Sequence, residues 1–352
     1  MKIAVLKGDG IGPEIVEAAQ VVLNKVDEKF NLGIEYAEAL FGGAAYDVYG
    51  NPYPEESQKI VEDCDAILLG SVGAPKYDAI EPAELRPEKG LLAIRKSLGL
   101  YCNIRPIKYY EFLADRVVWK KGLLDGLDIV ICRELTGGAY FGERGHDENS
   151  AYDTISYSRP EIERIVRDAF EMAKNRDRKI LHSIDKANVL DSSKLWRKVV
   201  NEMAPEYPEV ELHHLYVDNA AMQLIVNPTQ FDVIVTENMF GDILSDESAA
   251  LGGSLGMLPS ASLGGRISLY EPSHGSAPDI AGKNIANPIA TILSAAMLLR
   301  FSAKNEAAAR AIETAVNEVL ADNIKTADLA DETSKVVGTM EMAQEIAARI
   351  CK

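Results

Sequence analysis

The chain has few cysteines and no excess of basic charge. Its four cysteines, Cys64, Cys102, Cys132 and Cys351, lie far apart without CxxC spacing, a pattern that disfavours both a zinc site and a disulfide framework. The formal net charge is -17. Nucleic acid and anionic membranes would both repel such a chain, so neither is expected as a partner.

The chain also lacks a long hydrophobic run. The longest, residues 288–299, is interrupted by Thr291 and Ser294 and is shorter than the roughly 20 apolar residues that a membrane-spanning helix needs. It predicts a core or interface helix. Residues 1–6 lead straight into a strand and show no charged segment or cleavage site of a secretory signal. Together with the cysteine usage, this predicts a cytoplasmic protein.

Strands and helices alternate along the 352 residues, which predicts an α/β fold with enough length for two domains. The first strand, residues 2–6, enters a glycine-rich turn, residues 8–12, and Pro13 opens a helix. The turn does not complete a GxGxxG pattern, and no acidic residue closes a nearby second strand. It therefore indicates a tight strand-to-helix connection rather than a Rossmann fingerprint, and contact with a ligand is the alternative.

Two aspartates lie on a predicted helix over residues 241–251. Asp242 and Asp246 are four residues apart, so their Cβ atoms lie roughly 5–6 Å apart on one face. Both carboxylates could coordinate one hard divalent cation. The helix follows a predicted buried strand, residues 231–236, and open α/β sheets bind ligands beyond the carboxyl ends of their strands. A solvated acidic face is the alternative that the pair alone leaves open.

Three arginines suggest an anionic ligand. Arg133 ends the apolar strand of residues 128–132, and Arg95 and Arg105 occur earlier in the chain. A guanidinium at the end of a buried strand needs an anionic partner. Three arginines that converge would bind a di- or tricarboxylate through paired hydrogen bonds. For any one of them, a surface salt bridge is the alternative.

Other polar residues follow predicted strands. Lys186 comes after the strand of residues 179–184, and Asp218 follows the strand of residues 210–217. Tyr140 lies in a glycine-rich segment that allows close backbone approach, although most tyrosines in such segments only pack.

The loop of residues 271–282 is rich in small residues. His274 and Asp279 could hydrogen-bond an adenosine, and the alternative is a turn-rich connector. Asn287 and Pro288 then read as the start of a helix.

Six segments resemble the β-hydroxyacid oxidative decarboxylases, the superfamily of isocitrate and 3-isopropylmalate dehydrogenases. They are RPEKGLLAIRKSLGLYCNIRP, ELTGGAYFGE, SIDKANVL, YVDNAAMQLI, NMFGDILSDESA and EPSHGSAPDIAGKNIANP. The resemblance covers essentially the whole chain and implies a two-domain α/β fold with an active-site cleft between the domains. It implies a discontinuous cofactor-binding domain, residues 1–100 and 253–352. Residues 101–252 would form a central α/β domain with the dimer interface and much of the substrate and metal site.

The resemblance also assigns roles to matching positions. Tyr140 would be the catalytic acid and Lys186 the base. The residues expected at the substrate are Arg95, Arg105, Arg133, Asp218, Glu88, Leu91, Leu92 and Val189; at Mg²⁺ or Mn²⁺, Asp218, Asp242 and Asp246; and at NAD, Glu271, His274, Gly275, Ser276, Ala277, Asp279 and Asn287. Lys186 and Asp218 would reach the site from the partner subunit of a homodimer.

The implied reaction is NAD- and metal-dependent oxidation of a 2-hydroxy acid followed by loss of CO₂. Leu91, Leu92 and Val189 offer apolar surface for an isopropyl group, whose burial could contribute roughly 1.5–3 kcal/mol. This favours 3-isopropylmalate, with isocitrate, homoisocitrate, D-malate and tartrate as alternatives. Outside the class, a metal-dependent phosphohydrolase or a non-catalytic binding module would not need three arginines with a lysine and a tyrosine at strand ends.

Overall fold

The computed structural model describes residues 1–117, 119, 120 and 122–350. The strands of these residues are β1 Lys2–Gly8, β2 Glu35–Glu38, β3 Ala66–Ser71, β4 Cys102–Lys108, β5 Asp128–Glu134, β6 Arg144–His146, β7 Ala151–Asp153, β8 Ile180–Asp185, β9 Glu211–Tyr216, β10 Val233–Thr236, β11 Pro259–Leu263, β12 Ser268–Pro272, β13 Ile324–Lys325 and β14 Lys335–Val336. The α-helices are α1 Gly12–Phe30, α2 Gly43–Tyr49, α3 Glu55–Glu62, α4 Pro87–Ser97, α5 Arg159–Lys174, α6 Asp191–Met203, α7 Val217–Val226, α8 Asn238–Ala249, α9 Ile289–Phe301, α10 Glu306–Ala321 and α11 Thr339–Ile350.

The chain forms two compact units. Residues 1–100 and 253–352 make the discontinuous unit, and residues 101–252 make the central unit. These are the residue ranges expected for the two domains, while the ligands that each unit binds stay predictions.

The discontinuous unit is built on strands in the order β2-β1-β3-β12-β11, parallel except for the antiparallel pair β11–β12. Ile3 to Leu6 in β1 pair with Ala66 to Leu69 in β3, and all eight side chains are inaccessible to solvent. Helix α9 packs on β11 and β12 and is buried from Ile289 to Leu299. The longest hydrophobic run is therefore a core helix.

The central unit has strands in the order β4-β5-β10-β8-β9, with β4 antiparallel to β5 and the other neighbours parallel. Helix α5 packs against β5, β8 and β10. In the register of the sheet, Thr236 at the end of β10 lies opposite Arg133 on one side and Ile184 on the other. The carboxyl ends of three parallel strands therefore meet at one edge.

Helix α8 differs from its predicted bounds. It begins at Asn238 rather than at residue 241, because the side chain of Glu237 caps it by accepting a hydrogen bond from the Phe240 amide at 2.9 Å. Asp242 consequently lies in the second turn. Likewise β9 ends at Tyr216, so Asp218 lies in the first turn of α7.

Strand β11 was not predicted; it forms a hairpin with β12 around the glycines at 264 and 265. Cys64, Cys102 and Cys132 are buried free thiols, and Cys351 lies outside the described residues. Across the part of the chain that the structure describes, no helix combines the length and apolar character needed to span a membrane.

His182 is expected to make the stability of the protein depend on pH. Its ring is buried in β8, stacks on His213 at 5.0 Å between ring centres, and meets the edge of Phe231 at 4.7 Å. Burial, and then the neighbouring charges of His213 and Arg178, lower the pKa of His182 from 6.5 to about 4. In this range the unfolded chain binds a proton that the folded chain does not, so stability falls as the pH drops from 6.5 towards 4.

We expect this group to cost about 2 kcal/mol of the free energy of unfolding between pH 7.5 and pH 5. His182→Phe, which cannot be charged, should lose less stability over that range, measured by urea unfolding at both pH values. His146→Phe, at an exposed position, is the matched control and should behave as the wild type. An unchanged pH dependence in His182→Phe would contradict the prediction.

Candidate functional site

Arg133 is the first member of a cluster of polar side chains in the central unit. It is the penultimate residue of β5, and its side chain is 2% exposed. Its Nη1 contacts the carboxylate of Asp242 on α8. The close approach of the Arg133 side chain to α8 requires glycine at position 241, because a Cβ there would lie 2.6 Å from Arg133 Cγ. The Gly-Asp pair on α8 thus makes room for the arginine and supplies its anionic partner.

Arg105, on the neighbouring strand β4, contacts the same helix. Its Nη1 donates to Ser245 Oγ at 2.7 Å and to Asp246 Oδ1 at 3.2 Å, and its Nη2 lies 3.7 Å from Asp242 Oδ1. Asp242 and Asp246 therefore face the same side of α8, as their spacing predicted. Two arginines and two aspartates form one cluster at the sheet edge.

Tyr140 joins this cluster. A 3₁₀ turn, Gly138–Tyr140, presents its hydroxyl, which donates to Asp242 Oδ2 at 2.8 Å. Gly138 has a φ of 67°, in the left-handed region that favours glycine. Burial, reinforced by the hydrogen bond to Asp242, raises the pKa of Tyr140 above its usual value. The phenol consequently stays protonated at neutral pH and is a proton donor.

Lys186 and Asp218 form a separate pair. Lys186 Nζ lies 2.8 Å from Asp218 Oδ1, and this hydrogen bond lowers the pKa of the Asp218 carboxyl. Asp218 is 68% exposed. In the described residues of one chain, no three His, Cys, Asp or Glu side chains gather in a way that could hold a metal. One chain therefore does not bring Asp218 together with Asp242 and Asp246.

Helix α4 carries a second group of predicted residues, in the discontinuous unit. Glu88, Leu91, Leu92 and Arg95 follow i, i+3, i+4, i+7 spacing, which places them on one helical face. Leu91 and Leu92 are half-buried. Val189 is 62% exposed and belongs to the central unit.

Arg95 pairs with a residue that was expected at the cofactor. Its Nη2 donates to Glu271 Oε1 at 2.9 Å, and both side chains are about 10% exposed. The buried Nε of Arg95 has no hydrogen-bond partner among the described residues. The Glu271 carboxylate thus occupies one edge of the guanidinium and leaves a donor for a further anion.

The glycine-rich turn after β1 and the loop after β12 pack against each other. Ile11 N donates to Ser276 O at 2.8 Å, and a Cβ at Gly10 would lie 2.0 Å from that oxygen. Buried Ile11 and Ile15 pack with the partly buried Ala277 and Ile280. The turn supports the loop that was predicted to bind NAD.

The remaining loop residues have different environments. His274 Nδ1 lies 2.9 Å from Gly275 O, and its buried Nε2 has no partner among the described residues. Burial lowers the pKa of His274. Asp279 is exposed, whereas Asn287 is buried, with its Oδ1 accepting from Ile289 N at the start of α9. Asn287 therefore has a structural role at the helix start.

Sequence reasoning missed two buried asparagines that contact the arginines. Asn103 Oδ1 accepts from Arg105 Nε at 2.8 Å, and Asn238 Oδ1 accepts from Arg133 Nε and Nη2 at 3.1 and 2.8 Å. Spacing offered a signal in each case. Asn103 lies two residues before Arg105 on one strand face, and Asn238 lies one helical turn before Asp242.

The residues fit the expected ligands. Asp242 and Asp246 supply adjacent hard oxygen donors, the type that Mg²⁺ and Mn²⁺ prefer. The loop after β12 carries partly buried Ala277 and Ile280, the exposed carboxylate of Asp279, and His274, whose Nε2 has no hydrogen-bond partner in the part of the chain that the structure describes. Apolar surface with a few polar groups is what an adenosine requires.

Comparisons with known proteins give a consistent result. The profile of the isocitrate/isopropylmalate dehydrogenase family matches residues 2–346. The 3-isopropylmalate dehydrogenase of Saccharophagus degradans is 56% identical, covering 99% of each chain. That of Thermotoga maritima is 57% identical, again covering 99% of each chain.

Solved structures share the fold. An isocitrate dehydrogenase from Methylococcus capsulatus superposes with a TM-score of 0.88 at 35% identity, covering 100% of this chain and 99% of the other. A β-decarboxylating dehydrogenase from Thermococcus kodakarensis gives a TM-score of 0.80 at 36% identity, covering 99% and 96%. The predicted α/β fold class and the predicted family are thereby confirmed.

Proposed function

The chain belongs to the isocitrate/isopropylmalate dehydrogenase family, and we propose that it oxidises and decarboxylates (2R,3S)-3-isopropylmalate to 4-methyl-2-oxopentanoate and CO₂, a step of leucine biosynthesis. The observation that carries the proposal is the cluster of Arg105, Arg133, Tyr140 and Asp242 at one sheet edge, in a chain more than 50% identical over its length to proteins named for this reaction.

Different side chains would bind the substrate, the metal and the cofactor. Arg95, Arg105 and Arg133 orient the two carboxylates of the substrate through charge-assisted hydrogen bonds. Asp242 and Asp246, with Asp218, would hold Mg²⁺ or Mn²⁺, which would supply positive charge to the reaction. The loop from His274 to Asp279 would hold NAD, which would supply the hydride acceptor for the oxidation.

Two side chains move protons. Lys186 accepts the proton of the C2 hydroxyl as the hydroxyl is oxidised to a ketone. Loss of the C3 carboxylate as CO₂ leaves an electron pair at C3, and Tyr140 donates a proton there. The raised pKa of Tyr140 suits this role because the phenol still carries its proton at neutral pH.

We further propose that the active enzyme is a homodimer with shared sites. Lys186 pairs with Asp218, and among the described residues of one chain Asp218 does not join the aspartates of α8 in a group that could hold a metal. A two-fold dimer would let each chain supply this pair to the site of the other. The arginines, Tyr140, Asp242 and Asp246 would come from the host chain.

A panel of 2-hydroxy acids tests the reaction. We expect NADH formation, followed by absorbance, with 3-isopropylmalate, NAD and Mg²⁺, and slower turnover of isocitrate, homoisocitrate, D-malate and tartrate. We expect kcat/KM to be higher with NAD than with NADP, because the exposed Asp279 carboxylate would accept from the ribose hydroxyls and repel a 2′-phosphate. Equal kcat/KM with both cofactors would contradict the NAD assignment, and faster turnover of another acid would contradict the substrate.

Leu91→Ser and Leu92→Ser test the apolar side of the substrate. Both leucines lie on the Arg95 face of α4, where an isopropyl group would bury against them. Loss of that contact should lower kcat/KM for 3-isopropylmalate by about 10-fold or more, since burying such a group is worth roughly 1.5–3 kcal/mol. D-Malate has no alkyl group and should be affected little.

Leu40→Ser, at an exposed position of the same unit, serves as the control and should leave both substrates unaffected. Equal losses on 3-isopropylmalate and D-malate in the α4 variants would show that the leucines do not contact the alkyl group.

A further inference from the structure

The arginines of the central unit differ in what their Nε atoms contact. In Arg176 the Nε donates to the Asp232 carboxylate at 2.5 Å, and in Arg197 it donates to Asp185 at 2.8 Å. These two arginines form structural ion pairs in which a buried carboxylate neutralises the guanidinium. Asp232 and Asp185 are each 1% exposed.

The two arginines of the site instead give their Nε to neutral oxygens. Asn103 accepts from Arg105 at 2.8 Å, and Asn238 accepts from Arg133 at 3.1 Å. Both asparagines are completely buried. A buried amide oxygen fixes a guanidinium without cancelling its charge, whereas an aspartate at the same position would do both.

The amide of Asn238 is itself held in one orientation. Its Nδ2 donates to Gly137 O at 3.1 Å, and its backbone N–H donates to the hydroxyl of Tyr157 at 3.0 Å. The hydroxyl of Tyr157 in turn donates to the Glu237 carboxylate at 3.1 Å. A flipped amide would place its NH₂ against the guanidinium and its oxygen against a carbonyl, so the acceptor must face Arg133.

We propose that Asn103 and Asn238 are positioning residues, which orient Arg105 and Arg133 towards a dianionic substrate and add no further negative charge to the cluster. The proposal rests on the proposed function. The two arginines and the aspartates at 242 and 246 sum to zero formal charge. With aspartate at both asparagine positions the sum would be -2, which would oppose binding of two carboxylates.

The first test is a double-mutant cycle read as the Kd of 3-isopropylmalate, measured by calorimetry with Mg²⁺. Asn238→Ala should raise this Kd about 10-fold or more in the wild-type background and by less than about threefold in Arg133→Lys, because lysine has no Nε–H edge for the amide to hold. The Kd of NAD should stay within about twofold. Equal fold-changes in both backgrounds would overturn the proposal.

The second test uses the other pair, Asn103 and Arg105, which keeps the proposal testable if Asn238→Ala does not fold. Asn103→Ala should show the same dependence on Arg105, tested in Arg105→Lys. Asn103→Asp should weaken substrate binding at least as much as Asn103→Ala, because it adds the cancelling charge. Wild-type affinity in Asn103→Asp would overturn the charge argument.

Controls separate the possible failures. Asn201→Ala removes an exposed contact to His214 at 2.8 Å in the same unit and should leave the Kd unchanged. If the wild type fails to bind 3-isopropylmalate, the proposed substrate is wrong. The cycles are then run with whichever dianionic 2-hydroxy acid of the panel the wild type binds, and loss of coupling there would overturn the role of the asparagines.

Discussion

We expect about a quarter of wild-type activity to return when Asp242→Asn subunits exchange with Lys186→Met subunits, if the site is shared as proposed. Each variant alone is inactive as a homodimer. In a mixed dimer, one site collects both substitutions and the other collects neither. Random exchange at equal concentrations makes half of the dimers mixed, and each mixed dimer has one intact site of two. The expected fraction is therefore one quarter.

The measurement is the rate of NADH formation after the mixture has been unfolded and refolded together, with exchange verified by mass spectrometry of differently tagged chains. If all the side chains of a site came from one chain, every site would keep one substitution. Verified exchange without recovery would then sink the shared-site proposal. Mixing Asp242→Asn with Tyr140→Phe is the matched control, because both residues lie in the same cluster and no intact site can form.

Tyr140→Phe is expected to lower kcat by about 10²- to 10⁴-fold, the usual contribution of a positioned general acid. The ring would still pack beside Arg133, whose Cζ lies 5.6 Å from its centre, so the KM for the substrate should change little. Because burial and Asp242 raise the pKa of Tyr140, its deprotonation should not limit the wild-type rate near neutral pH.

Steady-state kinetics with 3-isopropylmalate and NAD gives both constants. Tyr36→Phe is the matched control, since it also removes a hydrogen-bonded hydroxyl, the one that donates to Asn24 at 2.9 Å in the discontinuous unit. It should leave kcat unchanged. A kcat of Tyr140→Phe within twofold of the wild type would exclude the phenol as the proton donor.

Much of the fold could be predicted because its signals are local. The apolar runs that became β1, β3 and β5 are short and bounded by turn residues, and the run that became α9 is too long for a strand. Helix starts were less certain. Helix α8 begins three residues before the start that the apolar pattern predicts, because Glu237 caps it and such a cap is not part of an apolar pattern.

In the candidate site too, local sequence signals indicated some residues, and only the fold showed others. Residue types and spacing singled out Arg133, Asp242 and Asp246, since a buried arginine needs an anion and a four-residue interval places two carboxylates on one helical face. The role expected of Tyr140 came from the family resemblance. Residue types and spacing did not indicate that Asn238 holds Arg133, nor that Glu271 contacts Arg95. Those pairs join residues more than 100 positions apart, so spacing along α8 could place Asn238 near Asp242 but could not show that it contacts Arg133.

The sequence by itself determined the alternation of strands and helices and the core helix, because both follow from composition and periodicity over a few turns of chain, whereas the roles expected of the candidate residues came from the resemblance to a known family. The tertiary structure decided which of these residues meet. It placed Arg105, Arg133, Tyr140 and Asp242 at one edge of the central sheet and left Lys186 paired with Asp218. Strand order and register set those distances, and both depend on how separate segments pack.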